Sequence, residues 1–261
     1  HWRYNQPEIS KVAPCFAIDL IGFGASSQPK ARLQSESKLK GEFIYNFDNW
    51  SQQVADFCRE IVKTKVLIVG NSIGGVIALR TSQLLKEDCY GVVLLSCATR
   101  ALDDKRLIEQ KQFIRWTRPF LKKLVQQRWL SINLFRNAAN PVVIKRVLMQ
   151  AYPSGKNLDD SLISLLKKPS LRPGASEAFH GFINLFNDYL APDLLKDIKV
   201  PVDIIWGGSD PWEPVDEARA WTKQFPCIRS LKVINGVGHC PHDEAPNDVN
   251  QTLIKIVHEA T

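Results

Sequence analysis

The 261-residue sequence has no apolar run long enough for a membrane span, no Cys-x-x-Cys pair, no internal repeat and no low-complexity tract. A bilayer-crossing helix needs roughly 18–20 consecutive apolar residues, so a helical span is not expected. Cys15, Cys58, Cys89, Cys97, Cys227 and Cys240 are scattered. That spacing excludes a zinc ribbon and reads as reduced, mostly buried thiols rather than a disulfide framework. Acidic residues are scarce in one region: from Arg100 to Gln150 twelve Lys/Arg face three acids, a net of +9, while the rest of the chain carries −2. The basic balance therefore belongs to one insert. What is present, 44% apolar and 23% charged residues, has the make-up of a globular protein. The length suits one large domain, or a core with an insertion.

Val66-Leu67-Ile68-Val69 is a short apolar, β-branched run that reads as a buried strand. Gly70-Asn71-Ser72-Ile73-Gly74-Gly75 follows, then Val76 to Arg80 as a helix. Strand, Gly-x-Ser-x-Gly turn and helix together form the pattern of a nucleophile elbow. Its glycines allow strand and helix to approach closely while the serine hydroxyl stays exposed. Upstream, Cys15 to Leu20 reads as a buried strand, positions 28–46 as an exposed excursion, and Asn49 to Val62 as a helix. On that helix Trp50, Val54, Phe57, Cys58 and Ile61 share a face. Gly91 to Ser96 is a further strand. The alternation stops near Thr99 and resumes near Val200, with Pro201 to Trp206 and Ser230 to Ile234 as strands. Pro214 to Phe225 reads as a helix between them, and Ala245 to Glu259 as a closing helix. Such alternation indicates a parallel sheet covered on both faces, an α/β fold. The domain division is then a core of 1–99 and 198–261 with a helical insert over 100–197.

An activated serine needs a base within hydrogen-bond reach, and the base needs an orienting acid. Two later strand ends supply them. Asp210 lies in Gly207-Gly208-Ser209-Asp210-Pro211, and His239 closes Gly236-Val237-Gly238-His239. The order Ser72, Asp210, His239 is the chain order of a hydrolase triad on this kind of sheet. Asp210 could also be read as an Asx-turn residue before Pro211. His242 competes with His239 as the base, and His239-Cys240-Pro241-His242 superficially suggests a metal. A zinc site needs more ligands than that segment holds, so no metal is expected. His180, among Phe179, Phe182, Ile183 and Phe186 at helical spacing, reads as a packing histidine.

On these residues the chain resembles the α/β-hydrolase superfamily over its whole length. More narrowly it is similar to the pheophytinase and chlorophyll dephytylase branch. Carrying that match are Phe16 to Ser26, Trp50 to Cys58, Gly70 to Gly75, Asp210-Pro211-Trp212-Glu213-Pro214, and Gly238 to Pro246 with its His239-Cys240-Pro241-His242-Asp243-Glu244 run. The elbow alone is shared with carbon–carbon bond hydrolases. The resemblance implies hydrolysis of the phytyl ester of a chlorophyll-type pigment, with Ser72 as nucleophile, His239 as base and then acid, and Asp210 orienting His239. The backbone N–H of Ile73 would be one oxyanion donor, and Asn71 and Trp212 would contact substrate. No protein-bound cofactor is implied, and a chloroplast or cyanobacterial thylakoid-side location is expected.

The first residues, His1-Trp2-Arg3-Tyr4-Asn5, match the helix that in similar proteins follows a strand and a His-Gly-Phe-Gly-type loop. That strand and the second oxyanion donor on its loop are therefore expected to be missing, leaving a gap between the Cys15 and Val66 strands. The resemblance also makes the basic insert a lid. Its interleaved aromatic and basic residues suggest contact with an anionic membrane, against the plainer reading of an amphipathic lid with a solvated basic face. Nucleic acid is not an expected partner, because no binding motif appears and the remainder of the chain is slightly acidic. The rival functions are a carbon–carbon hydrolase of ring-cleavage products and a non-catalytic ligand-binding protein on the same scaffold. An epoxide hydrolase is disfavoured, since those use Asp where this chain has Ser72.

Overall fold

The computed structural model describes residues 1–260, the last of them by its backbone alone. Four strands run parallel in the order β1 (Val66–Asn71), β2 (Cys89–Leu95), β3 (Val202–Gly207) and β4 (Ile228–Ile234). Because the side-chain period of a strand is two, each central strand feeds two separate cores. Val92, Leu94, Ile204 and Trp206 point to one face. There they meet helices α2 (Phe47–Phe57) and α3 (Ile73–Leu85), joined from later in the chain by Leu194, Leu195, Ala218 and Trp221. Val93, Leu95 and Ile205 point to the other face, against Ile9 of the short helix α1 (Gln6–Ile9) and Val249, Leu253 and Ile256 of α12 (Pro246–Ala260). Trp50, Trp206 and Trp221 are fully or almost fully buried. Burying a large apolar side chain contributes roughly 1.5–3 kcal/mol each, which makes the first core the heavier one.

No strand interrupts the chain between β2 and β3. That stretch holds α4 (Gln112–Val125), α5 (Arg128–Ala138), α6 (Pro141–Ala151), α7 (Asp160–Ser170), α8 (Ala175–Ile183) and α9 (Ala191–Leu195). After β3 come α10 (Val215–Gln224) and, beyond β4, α11 (Pro241–Glu244) and α12. Asn46, Asn140 and Asp159 cap α2, α6 and α7 through side-chain oxygens that accept the amides of Asn49, Val143 and Leu162.

Three sequence expectations are corrected. Residues 15–20 form no strand. Their bonds are local or to side chains instead: Asp19 O accepts Ser26 Oγ and Gln53 Nε2, and Cys15 O accepts Gln6 Nε2, while at the nearby Ile21 Gln53 Oε1 accepts the backbone N–H and Trp50 Nε1 donates to the carbonyl. An apolar run becomes a buried strand only beside a ladder partner, and among the described residues β1 pairs with β2 alone. The 28–46 excursion is not wholly exposed. Ala31 and Tyr45 are buried, Arg128 donates to Ala31 O, and an isolated bridge links Ala31 to Phe43. Ile61 leaves the apolar face of its helix, because Cys58–Val62 is a π-helical turn that shifts the phase after Phe57.

The chain's first residues close against its last elements. Arg3 Nε donates to Asp243 Oδ1 at 2.8 Å, Asn5 Nδ2 donates to His242 O, and the Trp2 ring lies 4.4 Å from the His242 ring. His242 is entirely buried there. Burial above all lowers its pKa, so it is neutral.

Candidate active site

β1 delivers the chain into a sharp turn at Ser72, whose φ of 55° and ψ of −123° are unusual for an L-residue. Holding a non-glycine there costs on the order of 1–3 kcal/mol, the kind of strain a nucleophile elbow places beneath its hydroxyl. Neighbouring bonds fix the turn: Ser72 N donates to Leu95 O at 3.0 Å, and Ser72 O accepts Gly75 N and Ala98 N. A Cβ on Gly70 would collide with Gly74 O, so this glycine is required for the strand to meet the helix. A Cβ on Gly74 would meet open space. Ile73 is the first residue of α3, and a first-turn N–H has no partner within its own helix. That makes it a ready donor for a developing oxyanion.

Because the strands run parallel, the loops after β1, β3 and β4 emerge at one end of the sheet. The last two cross closely, since a Cβ on Gly207 would collide with Gly238 O. Across that crossing His239 Nδ1 and Asp210 Oδ2 are 2.9 Å apart, with both side chains nearly or fully buried. With the Nδ1 hydrogen donated to the carboxylate, Nε2 is left as the basic nitrogen. Asp210 Oδ1 accepts the amides of Trp212 and Glu213, which pins the carboxylate from behind. Among the described residues no hydrogen bond joins Ser72 Oγ to His239. Such bonds are often long until substrate closes a site.

Of the residues singled out from sequence, Asp210, His239, Asn71 and Trp212 are brought together around this crossing. Asn71 is half-buried, and its amide nitrogen is engaged within the protein. Its Nδ2 donates to Leu95 O and to His239 O, both at 3.0 Å, so it ties the elbow strand to the histidine loop. Trp212 is 41% exposed, and its ring meets the His239 ring in a T-shaped contact with centroids 4.8 Å apart. His242 sits in the separate buried cluster with Trp2. His180 is buried in the insert with Nδ1 2.5 Å from Ser131 Oγ, and burial lowers its pKa. Among the described residues no three His, Cys, Asp or Glu side chains converge as a metal site would require.

Sequence reasoning missed four supports of the site. Glu213 is half-buried beside Asp210, whose Oδ1 accepts its amide, and its Oε2 accepts Thr99 N at 2.9 Å and Thr99 Oγ1 at 2.5 Å. Burial raises its pKa, against the pull of the Thr99 bonds and His239. Glu244 Oε2 accepts Gly238 N at 2.6 Å, and its Oε1 accepts Ser154 N and Oγ. Asp243 accepts the Tyr152 hydroxyl at 2.9 Å, and His239 N donates to Ala151 O. The end of α6 and the following turn are thereby fastened to the histidine loop. The visible signal was the acid pair Asp243-Glu244 directly after His242. Cys240, next to His239, is no rival nucleophile: burial pushes its thiol up to about 12, so it stays protonated.

The family model for the alpha/beta hydrolase family matches residues 1–252. Among curated proteins the chain is 26% identical over 238 residues to the chloroplastic pheophytinase of Arabidopsis thaliana, covering 89% of this chain and 47% of that one. It thus spans about half the length of that relative. It is 24% identical to the uncharacterized hydrolase YugF of Bacillus subtilis (strain 168), covering 92% of this chain and 79% of the relative. Among solved structures, a serine hydrolase involved in carbazole degradation (CarC) superposes with a TM-score of 0.75 at 19% identity, over 98% of this chain and 84% of that one. That likeness is one of fold.

Proposed function

This chain belongs to the alpha/beta hydrolase family, and we propose that within it Ser72, His239 and Asp210 cleave a carboxylic ester. The observation that carries the reading is the Asp210–His239 pair set beside a strained serine turn, at the same end of one parallel sheet. His239 Nε2 takes the Ser72 proton as Oγ attacks the ester carbonyl. The Ile73 N–H stabilises the oxyanion, and the proton passes from His239 to the departing alcohol oxygen. Water, activated by the same nitrogen, then releases the acid and frees Ser72. Asp210 holds the tautomer and stabilises the imidazolium through both stages.

The substrate in this reading is the phytyl ester of a chlorophyll-type pigment, giving phytol and a chlorophyllide or pheophorbide in a chloroplast setting. It is supported by the match to a pheophytinase, by the Asp-Pro-Trp-Glu-Pro and His-Cys-Pro-His-Asp-Glu runs, and by the partly exposed Trp212 in contact with His239. The protein is to be incubated with chlorophyll, pheophytin and p-nitrophenyl butyrate, and the products separated by chromatography. Phytol should appear from a pigment with wild type and not with Ser72→Ala. Unchanged pigments beside rapid butyrate cleavage would reject the pigment assignment.

A further inference from the structure

Helix α4 is inside out for a surface helix. Its inward face is cationic: the Arg118 guanidinium donates to Leu102 O and lies 4.6 Å above the Phe186 ring, and Lys122 Nζ donates to Asp104 Oδ2 at 2.5 Å. Its outward face is apolar and aromatic. Phe113, Trp116 and Phe120 are 75%, 87% and 69% exposed, and Leu121 and Leu124 extend the surface. A helix of a globular protein normally presents the opposite polarity to water. Trp129 at the start of α5 and Val142 and Met149 on α6 are also exposed. Of the nineteen large apolar side chains exposed among the described residues, fourteen lie between positions 100 and 197. Apolar exposure is thus concentrated in this insert, and a run of large apolar side chains on one helix face, as on α4, is what marks an interaction surface.

Charge identifies what fits it. From Gln110 to Leu158 the sequence has no Asp or Glu but ten Lys/Arg. Lys111, Arg115 and Lys123 border the aromatic face, are exposed, and have no ion-pair partner among the described residues. Among the described residues no helix is long and apolar enough to cross a membrane. We propose that the outward face of α4 lies in the interface of an anionic lipid bilayer, with Phe113, Trp116 and Phe120 among the acyl chains and Lys111, Arg115 and Lys123 at the headgroups. An apolar stripe edged by cations is the chemistry of a helix lying in the membrane plane. The alternative occupant, a second copy of the same chain, would bring the cationic borders of two α4 helices together.

Vesicle flotation tests this without any turnover, so it stands or falls separately from the ester reading. Wild type and Ser72→Ala should both float with phosphatidylcholine vesicles containing phosphatidylglycerol. Binding to pure phosphatidylcholine should be at least about tenfold weaker, as should binding of a Trp116→Glu/Phe120→Glu variant to the anionic vesicles. Both substituted side chains are exposed, so the variant keeps its core, and its melting temperature should match wild type. Equal failure to float with either vesicle would overturn the proposal. So would a wild-type dimer in sedimentation that the double variant converts to monomer.

Discussion

Replacing Asp210 by asparagine should lower kcat for ester cleavage by about 10⁴ while leaving the melting temperature close to wild type, the magnitude being that seen when a triad aspartate is made an amide elsewhere. The amide oxygen of the new side chain can still accept the N–H groups of Trp212 and Glu213, which Asp210 Oδ1 accepts now. Its NH₂ group would then face His239 Nδ1, where a carboxylate oxygen stands 2.9 Å away. A donor at that place forces Nδ1 to accept, moves the ring proton to Nε2, and removes the base from Ser72. Only the charge and the tautomer change. Activity within tenfold of wild type would show that Asp210 does not orient the base.

The largest stability effect is expected at Asp243. Its fully buried carboxylate receives Arg3 Nε at 2.8 Å, Arg3 Nη2 at 3.1 Å and the Tyr152 hydroxyl at 2.9 Å. Asp243→Leu removes the acceptor for all three and leaves a largely buried guanidinium and a buried hydroxyl without it. Breaking a buried pair from one side costs about 3–5 kcal/mol. Arg3 keeps contacts with Asp159, Asn157 O and Ser161, which places the cost near the lower end. For a chain of this size that is a drop of roughly 6–12 °C in Tm, at about 2–4 °C per kcal/mol. Thermal unfolding followed by circular dichroism checks it. An unchanged midpoint would mean that the junction between the first residues, the α6 turn and the histidine loop contributes no stability.

The central strands were legible because each is a short β-branched run ended by glycine or a turn, and the elbow because strand, Gly-Asn-Ser-Ile-Gly and helix follow in immediate succession. Asp210 and His239 were legible for the same reason: each follows a buried strand, and parallel strands bring their ends together. Residues 15–20 misled because an apolar run specifies a strand only when something pairs with it, and pairing is not a local property. Ile61 misled because one π turn changes the period that the reading assumes. The tie that Asn71 makes to the histidine loop was not legible. Nothing in its neighbours announces that His239 O, 168 residues away, will accept its amide. Glu213 and Glu244 stayed hidden because a carboxylate's partners, Thr99, Ser154 and Gly238, are named only by the folded chain.

Labelling by a fluorophosphonate tests the central claim most directly, because the probe bonds only to a serine whose proton a neighbouring base can take. One adduct per chain is expected, located by peptide mass spectrometry on Ser72, absent from Ser72→Ala and slowed by roughly the same factor as turnover in Asp210→Asn. An adduct on any other serine, or no adduct on a folded chain, would contradict the assignment of Ser72 as the nucleophile.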